Sequence, residues 1–309
     1  MGGGARGLSL LSGGLDSQLA VRVLERAGAY VECVAFESPF FSADRARGAA
    51  SALGVKLHVV DFTADIVALV KAPPHGFGGA MNPCIDCHAA MIRRAGEMMR
   101  ELGYDFVATG EVRGQRPMSQ NAQSLLTVEK ASGMKGRLLR PMSAKLLEPT
   151  IPELEGKLDR ESLLDISGRS RERQIALAAE FGIVDYPSPA GGCKLTEEGF
   201  SRRLDDLMRH EGIDRLDLVR LLAVGRRFRL PGGSSVVLGR DRGENELLEG
   251  LQIEGALLFR PSRGVPGATA LVPRLGAPED AATVQALVDA YAKGTVPADR
   301  EAFRNWQIL

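Results

Sequence analysis

The 309-residue sequence has no net charge, because 39 Lys and Arg are balanced by 39 Asp and Glu. A global positive field is therefore excluded, and any nucleic-acid partner must be held by local patches. No apolar run approaches the roughly 20 residues needed to span a bilayer, and the first residues lack the charged-then-apolar order of a secretion signal. Met1-Gly2 does not open a myristoylation site, since Arg6 stands where Ser or Thr is required. These absences lead to the expectation of a cytoplasmic protein without a membrane partner. Cysteine is scarce, at four residues. Without an export signal the four are expected to be reduced, metal-binding or catalytic rather than a disulfide framework. Repeats and low-complexity tracts are missing as well. What remains, 44% hydrophobic and 25% charged, is the composition of a globular chain able to bury a sizeable core in one large or two ordinary domains.

The most informative stretch is Leu11, Ser12, Gly13, Gly14, Leu15, Asp16, Ser17. It follows the apolar run Leu8 to Leu11 and opens a helical pattern with apolar positions at Leu15, Leu19, Val21, Val23 and Leu24, so it reads as strand, glycine turn and helix start. Two glycines let the backbone approach an anion, and free N–H groups with the helix dipole stabilise its charge. The lysine that ends a Walker loop is missing, which points away from γ-phosphate chemistry. A tight turn capped by Ser12 or Asp16 is the structural alternative.

Onward, residues 30–36 and 55–62 read as strands and residues 43–53 as a helix, the rhythm of a parallel sheet with crossover helices. A further strand is expected at 106–109 and a last one from 138. The fold class expected is α/β, a doubly wound parallel sheet of Rossmann-like type, with a second, smaller α+β domain. In such sheets the ligand lies beyond the strands' carboxyl ends, so the 12–17 loop, the end of the second strand and the loop after Thr109 should converge. Asn82, Pro83, Cys84, Ile85, Asp86, Cys87, His88 stands at a helix start, where the dipole favours thiolate. Cys33 lies within the second strand and reads as a buried hydrophobe. Domain boundaries are expected at 1–193 for the catalytic domain, 194–225 for a charged helical connector and 226–309 for the small domain. Strand-like runs at 226–230, 236–239, 256–260 and 268–272 mark the last of these, with helices at 244–251 and 279–292.

Ser-Gly-Gly-Leu-Asp-Ser, Asn-Pro-Cys-Ile-Asp-Cys and the Ala-Thr-Gly-Glu of Ala108, Thr109, Gly110 and Glu111 together resemble the PP-loop ATP pyrophosphatases that thiolate tRNA. MnmA-type 2-thiouridylases and the ThiI and TtuA sulfurtransferases share their order. The resemblance covers residues 5–195. Cys84 stands where MnmA-type enzymes commonly have aspartate, and Cys193, after the glycine pair 191–192, resembles the cluster-binding arrangement of TtuA-like enzymes. A second, shorter resemblance, to the NFACT RNA-binding module, rests on Val237, Leu238, Gly239, Arg240, Asn245 and Val265, Pro266, Gly267, Ala268.

The resemblance implies an ATP-dependent tRNA uridine thiolase that adenylates a uracil oxygen, releases pyrophosphate and replaces the oxygen with sulfur. Ser12, Gly13, Gly14 and Ser17 would bind phosphates, Asp16 would help to hold Mg2+, Ala35 and Phe36 would border the adenine, and Gly110 and Glu111 the nucleotide's other side. Cys84, Cys87 and Cys193 have three readings: ligands of a 4Fe-4S cluster with one open iron, persulfide chemistry on Cys87 or Cys193, or, with His88, structural zinc. The cluster is preferred because a dithiol mechanism leaves one cysteine without a task. The rival readings of the whole chain are a PP-loop ligase or amidotransferase with structural zinc, and a non-catalytic RNA-binding or zinc protein that kept the fold and lost the reaction. Arg169 and Arg171, with Arg226 and Arg227 on the second domain, are the candidate RNA contacts. The partners implied are tRNA and a sulfur donor, either sulfide or a sulfur-carrier protein; a homodimer is left open.

Overall fold

The computed structural model describes residues 4–188, 192–262 and 264–309. Met1 and Gly2, and Pro189, Ala190 and Gly191 of the glycine-pair segment, lie outside the described residues. Contacts divide the chain into two compact units, Met1–Lys194 and Leu195–Leu309.

The first unit is built on a parallel sheet of β1 (Arg6–Leu10), β2 (Tyr30–Glu37), β3 (Leu57–Asp61), β4 (Phe106–Ala108) and β5 (Leu138–Leu139), in the order β3-β2-β1-β4-β5. Leu8 is in register with Glu32 on one side and Val107 on the other, and Val107 with Leu138. The chain travels outward from β1 to β3, then returns to the far side of β1. Neighbouring connections therefore leave β1 and β4 in opposite directions and open a crevice at their carboxyl ends, where α/β sheets bind ligands.

The helices are α1 (Leu15–Arg26), α2 (Asp44–Leu53), α3 (Thr63–Lys71), α4 (Cys84–Glu101), α5 (Ala122–Ser132), α6 (Ile151–Leu154) and α7 (Glu172–Glu180). Leu15, Leu19, Val23 and Leu24 of α1 and the alanines of α2 bury against Val31, Cys33 and Ala35 of β2. Strand alternation turns Glu32 to the opposite face. There it accepts hydrogen bonds from Tyr30 (2.9 Å) and Lys56 (3.3 Å) and lies 2.6 Å from His58 Nε2. Helix α4 packs on β1, β4 and α5. Helices α3, α5 and α6 have no counterpart in the pattern-based reading.

The second unit starts with α8 (Glu198–His210) and α9 (Leu216–Leu221). An antiparallel sheet follows, of β6 (Arg226–Arg229), β7 (Ser235–Leu238), β8 (Leu257–Phe259), β9 (Ala270–Arg274) and β10 (Gln307–Ile308), ordered β10-β6-β7-β9-β8, with α10 (Arg242–Gly250) and α11 (Asp280–Ala290). Phe228, Val236, Leu238, Ala270 and Val272 point into a core shared with Val284, Leu287 and Val288 of α11. Arg227 and Arg229 point to the other face, toward Asp206 and Glu211 at the end of α8. Residues 195–225 thus belong to the second unit, where Phe200, Leu204 and Leu207 form a buried stripe on an otherwise charged helix. The small unit carries the expected α+β composition. Among the described residues no helix is long and apolar enough to cross a membrane.

Candidate nucleotide and thiol site

The turn after β1 is closed by its own hydroxyls. Ser17 Oγ donates to Gly14 O (2.8 Å) and accepts from Ser12 N (3.3 Å), and Gly14 N donates to Ser12 Oγ (3.3 Å). Gly13 has φ +77°, and a Cβ there would stand 2.6 Å from the backbone of Arg45 at the start of α2. Gly14 is the N-cap of α1 and no side chain caps the helix, so neither Ser12 nor Asp16 plays the capping part. The N–H groups of the first turn point out of the helix without helical acceptors, as an anion site requires.

Gln115 comes from the loop after β4 and donates to Asp16 Oδ2 (2.9 Å). Asp16 Oδ1 is buried without a partner. Burial pushes the Asp16 carboxyl upward, opposed by Gln115 and by the charges of Arg171 and Arg116. Arg171 reaches this place because Ser167 pairs with Arg113 and Gly168 N donates to Arg113 O (2.8 Å), tying the segment before α7 to the loop after β4. Arg169 of the same segment is exposed.

The Glu111 side chain, expected on the nucleotide's other side, is engaged within the protein. Its carboxylate is 6% exposed and committed to protein: Arg140 Nε donates to Oε2 (2.9 Å), Thr109 Oγ1 donates to Oε2 (3.0 Å), and His88 Nδ1 lies 3.3 Å from Oε1. Burial would raise its pKa, but the Arg140 charge and His88 hold it down at about 2. Only its backbone is left for a ligand. Ala35 and Phe36 are likewise buried, Phe36 with its ring centroid 5.3 Å from that of Phe62, so β2 also offers backbone rather than side chains at its end.

Helix α4 runs down to the amino end of β4, which places Cys84, Cys87 and His88 at the carboxyl end of the sheet. Cys193 reaches the same end, because Lys194 N donates to Phe40 O (2.9 Å) just beyond β2. None of the four cysteines is in a disulfide. Asn82 Nδ2 donates to Cys84 Sγ (3.0 Å). Burial pushes the Cys87 thiol up, reinforced by the proximity of Cys193, Cys84 and Asp86. Burial and the helix-start dipole thus act on this thiol in opposite senses. Among the described residues, no three His, Cys, Asp or Glu side chains are gathered closely enough to hold a single metal ion, so the expected zinc ligands do not form a closed site. Cys33, as expected, is buried, its thiol pushed up to about 12.

In the second unit the expected pair of arginines separates. Arg226 is half-buried, its guanidinium 5.2 Å from the Tyr291 ring centroid. Arg227 is 2% exposed, and burial lowers its pKa to about 10 against the opposing pull of Asp206 and Glu211. A guanidinium enclosed in this way is not presented to phosphate, which corrects its assignment as an RNA contact. Asn245, part of the NFACT-like pattern, is a latch: Nδ2 donates to Gly267 O and Oδ1 accepts from Thr269 N, both at 3.0 Å.

Two features escaped the sequence reading. The Glu111, Arg140 and His88 network joins residues far apart in the chain, and a cavity of about 470 Å³ lined by Arg100, Tyr104, Lys135 and Arg137 opens at the amino ends of β4 and β5.

Comparison with known proteins gives four findings. Residues 2–145 match the family model described as Thiamine biosynthesis protein (ThiI). A probable tRNA sulfurtransferase of Anoxybacillus flavithermus is 28% identical over 151 residues, 46% of this chain and 36% of that protein. A tRNA-specific 2-thiouridylase MnmA of Sulfurimonas denitrificans is 35% identical over 112 residues, 32% of each chain. The matches thus span about a third of these relatives' length. A solved 4-thiouridine synthetase in complex with RNA and bound ATP aligns with TM-score 0.42 and 20% identity, covering 70% of this chain and 52% of that one.

Proposed function

We propose that this chain, whose residues 2–145 match the ThiI family model, is an ATP-dependent tRNA sulfurtransferase that thiolates uridine. One observation carries the reading: the uncapped helix start at Gly14 and the three cysteines 84, 87 and 193 occupy the same end of one parallel sheet. A phosphate site and a sulfur site are then within one crevice.

Uracil oxygen is a poor leaving group, so it must be activated before sulfur can replace it. The oxygen attacks the α-phosphate of ATP, the bond from that phosphorus to the bridging oxygen breaks, and pyrophosphate departs with the electron pair. Loop N–H groups at residues 13–17 stabilise the phosphates. Asp16 suits a magnesium ligand, because Gln115 fixes one carboxylate oxygen and leaves the buried Oδ1 open. A sulfur nucleophile then adds to the activated carbon, and AMP leaves.

Cys84, Cys87 and Cys193 are the sulfur centre. As a donor set they suit a 4Fe-4S cluster in number and type, which would when bound supply an open iron for hydrosulfide. Persulfide chemistry is the second reading, favoured by the electrostatic proximity of Cys87 and Cys193. Arg169 and Arg226 are the RNA contacts retained, and the second unit is read as an NFACT-like RNA-binding domain.

The test is product analysis with unmodified tRNA: AMP, pyrophosphate and thiouridine are expected, whereas ADP and phosphate would overturn the loop reading. Protein purified without oxygen should be brown, and lose colour and activity with alanine at 84, 87 or 193 but not at 33. A colourless, fully active preparation moves the assignment to the persulfide.

A further inference from the structure

The 167–171 segment carries the Arg171 cation toward the first turn of α1. Arg171 lies close enough for its charge to oppose the burial of Asp16, yet forms no ion pair with it, and its Nε is buried without an acceptor. Asp16 Oδ1 and Gln115 Oε1 are unpartnered too. One helical turn on, Gln174 is 0% exposed, with both its amide oxygen and its nitrogen unsatisfied. Buried polar atoms are nearly always hydrogen-bonded, so the open atoms of Asp16, Gln115 and Arg171 together mark a place for a polar ligand. A carboxylate and a guanidinium that approach without pairing are complementary to a ligand carrying both signs, such as a magnesium-bound phosphate chain.

We propose that Arg171 is a pyrophosphate-binding residue: it faces the β- and γ-phosphates of the nucleotide held by residues 12–17 and stabilises the pyrophosphate as it leaves, rather than touching RNA. The arginine fork presents several donors to phosphate oxygens and stays charged throughout the turnover. The pairing of Ser167 with Arg113 fixes the segment that carries it against the β4 loop, so the donor is in place before the phosphate arrives. Charge builds on the departing bridging oxygen, and a positioned cation there lowers the barrier to departure more than it strengthens ground-state binding.

This inference rests on the nucleotide reading given above, and calorimetric titration of the full chain separates the two. Wild type and Arg171→Ala are titrated with inorganic pyrophosphate, ATP and AMP in the presence of Mg2+, and with tRNA in a filter-binding assay. The expected result is a tenfold or greater loss of affinity for pyrophosphate and ATP, with AMP and tRNA affinity unchanged. Arg171→Lys should recover only part of the loss, because an ammonium keeps the charge without the fork. Unchanged pyrophosphate binding in Arg171→Ala, or a loss confined to tRNA, overturns the proposal while leaving the nucleotide site standing. If wild type binds neither pyrophosphate nor ATP, the nucleotide reading itself is lost. Melting of the unliganded variants shows that they are folded; should Arg171→Ala fail to fold, Arg171→Lys and Arg171→Gln give the same readout.

Discussion

Gly110 lies directly against Asp16: a Cβ at position 110 would stand 2.6 Å from the carbonyl carbon and oxygen of Asp16 and from Ser17 N. The loop after β4 is thereby seated on the first turn of α1, and backbone cannot yield as a flexible side chain can. Gly110→Ala should push the two loops apart, at about 1–3 kcal/mol of overpacking strain. Nucleotide affinity measured by calorimetry should fall, with the far-UV spectrum unchanged; an alanine variant that binds ATP normally would show that the contact does not shape the site.

Asp16 should trade stability for function. Its carboxyl is pushed up by burial, so the native state favours the protonated form. The contribution is present below the ordinary value of 3.8 and is lost as pH rises through the folded value. At pH 7 Asp16→Asn should therefore stabilise the unliganded protein by about 0.5–2 kcal/mol, the usual gain from a single stabilising substitution, raise its melting temperature, and abolish pyrophosphate release. A lower melting temperature would contradict this account.

Acid should weaken the first unit in a defined window. Glu32 would be raised by burial, but hydrogen bonds from His58, Tyr104, Tyr30 and Lys56 bring it from 4.5 to about 2; Glu111 is held at about 2 by Arg140 and His88 against its own burial. Both are depressed, so their stabilisation is complete above about pH 4.5 and is lost as pH falls toward 2. Urea midpoints between pH 6 and 2.5 should show this decline, and Glu32→Gln should flatten it. Glu111→Ala leaves Arg140 buried with a weaker partner, Glu129 at 3.4 Å, and should cost about 3 kcal/mol at pH 7.

In the second unit, Arg226 and Arg227 should part company. Arg226→Ala is expected to lower tRNA affinity and to reduce the log-log salt slope by about one unit, whereas Arg227→Met should leave RNA binding unchanged. Equal losses from both would restore the original pairing. Asn245→Ala should cost about 1–3 kcal/mol through the unpaired Gly267 carbonyl and Thr269 N–H, read from denaturant unfolding.

Much of this architecture was legible because it is local. Leu8 to Leu11 with the glycine pair announced β1 and α1, and the apolar β2 and the helix ending at Gly54 followed the same logic of periodicity and cap. Helix α5 escaped notice because its mixed sequence, Ala-Gln-Ser-Leu-Leu-Thr-Val-Glu-Lys-Ala-Ser, carries a weak apolar stripe; its signal was the Asn121 cap, which accepts from Ser124 N. Strand β10 is two residues long and exists only by pairing with Phe228 and Arg227. Charge roles were the hardest to read. Alternation put Arg226 and Arg227 on different faces, but which face α8 would cover is a tertiary fact. The commitment of Glu111 to Arg140, twenty-nine positions away, has no local trace at all.

Gln18 donates through Nε2 to Gly13 O and to Asp185 O, each at 3.0 Å. A single amide thus reports on the phosphate loop and on the stretch that leads to Cys193. A nucleotide that moves Gly13 would strain this shared amide, and any coupling of the two segments through it would be reciprocal. Sulfur delivery would then be timed by occupancy of the loop. The alkylation rate of Cys193 should change on adding ATP, and Gln18→Ala should erase the difference; identical rates with and without ATP in the unaltered protein would mean that the two halves of the crevice operate independently.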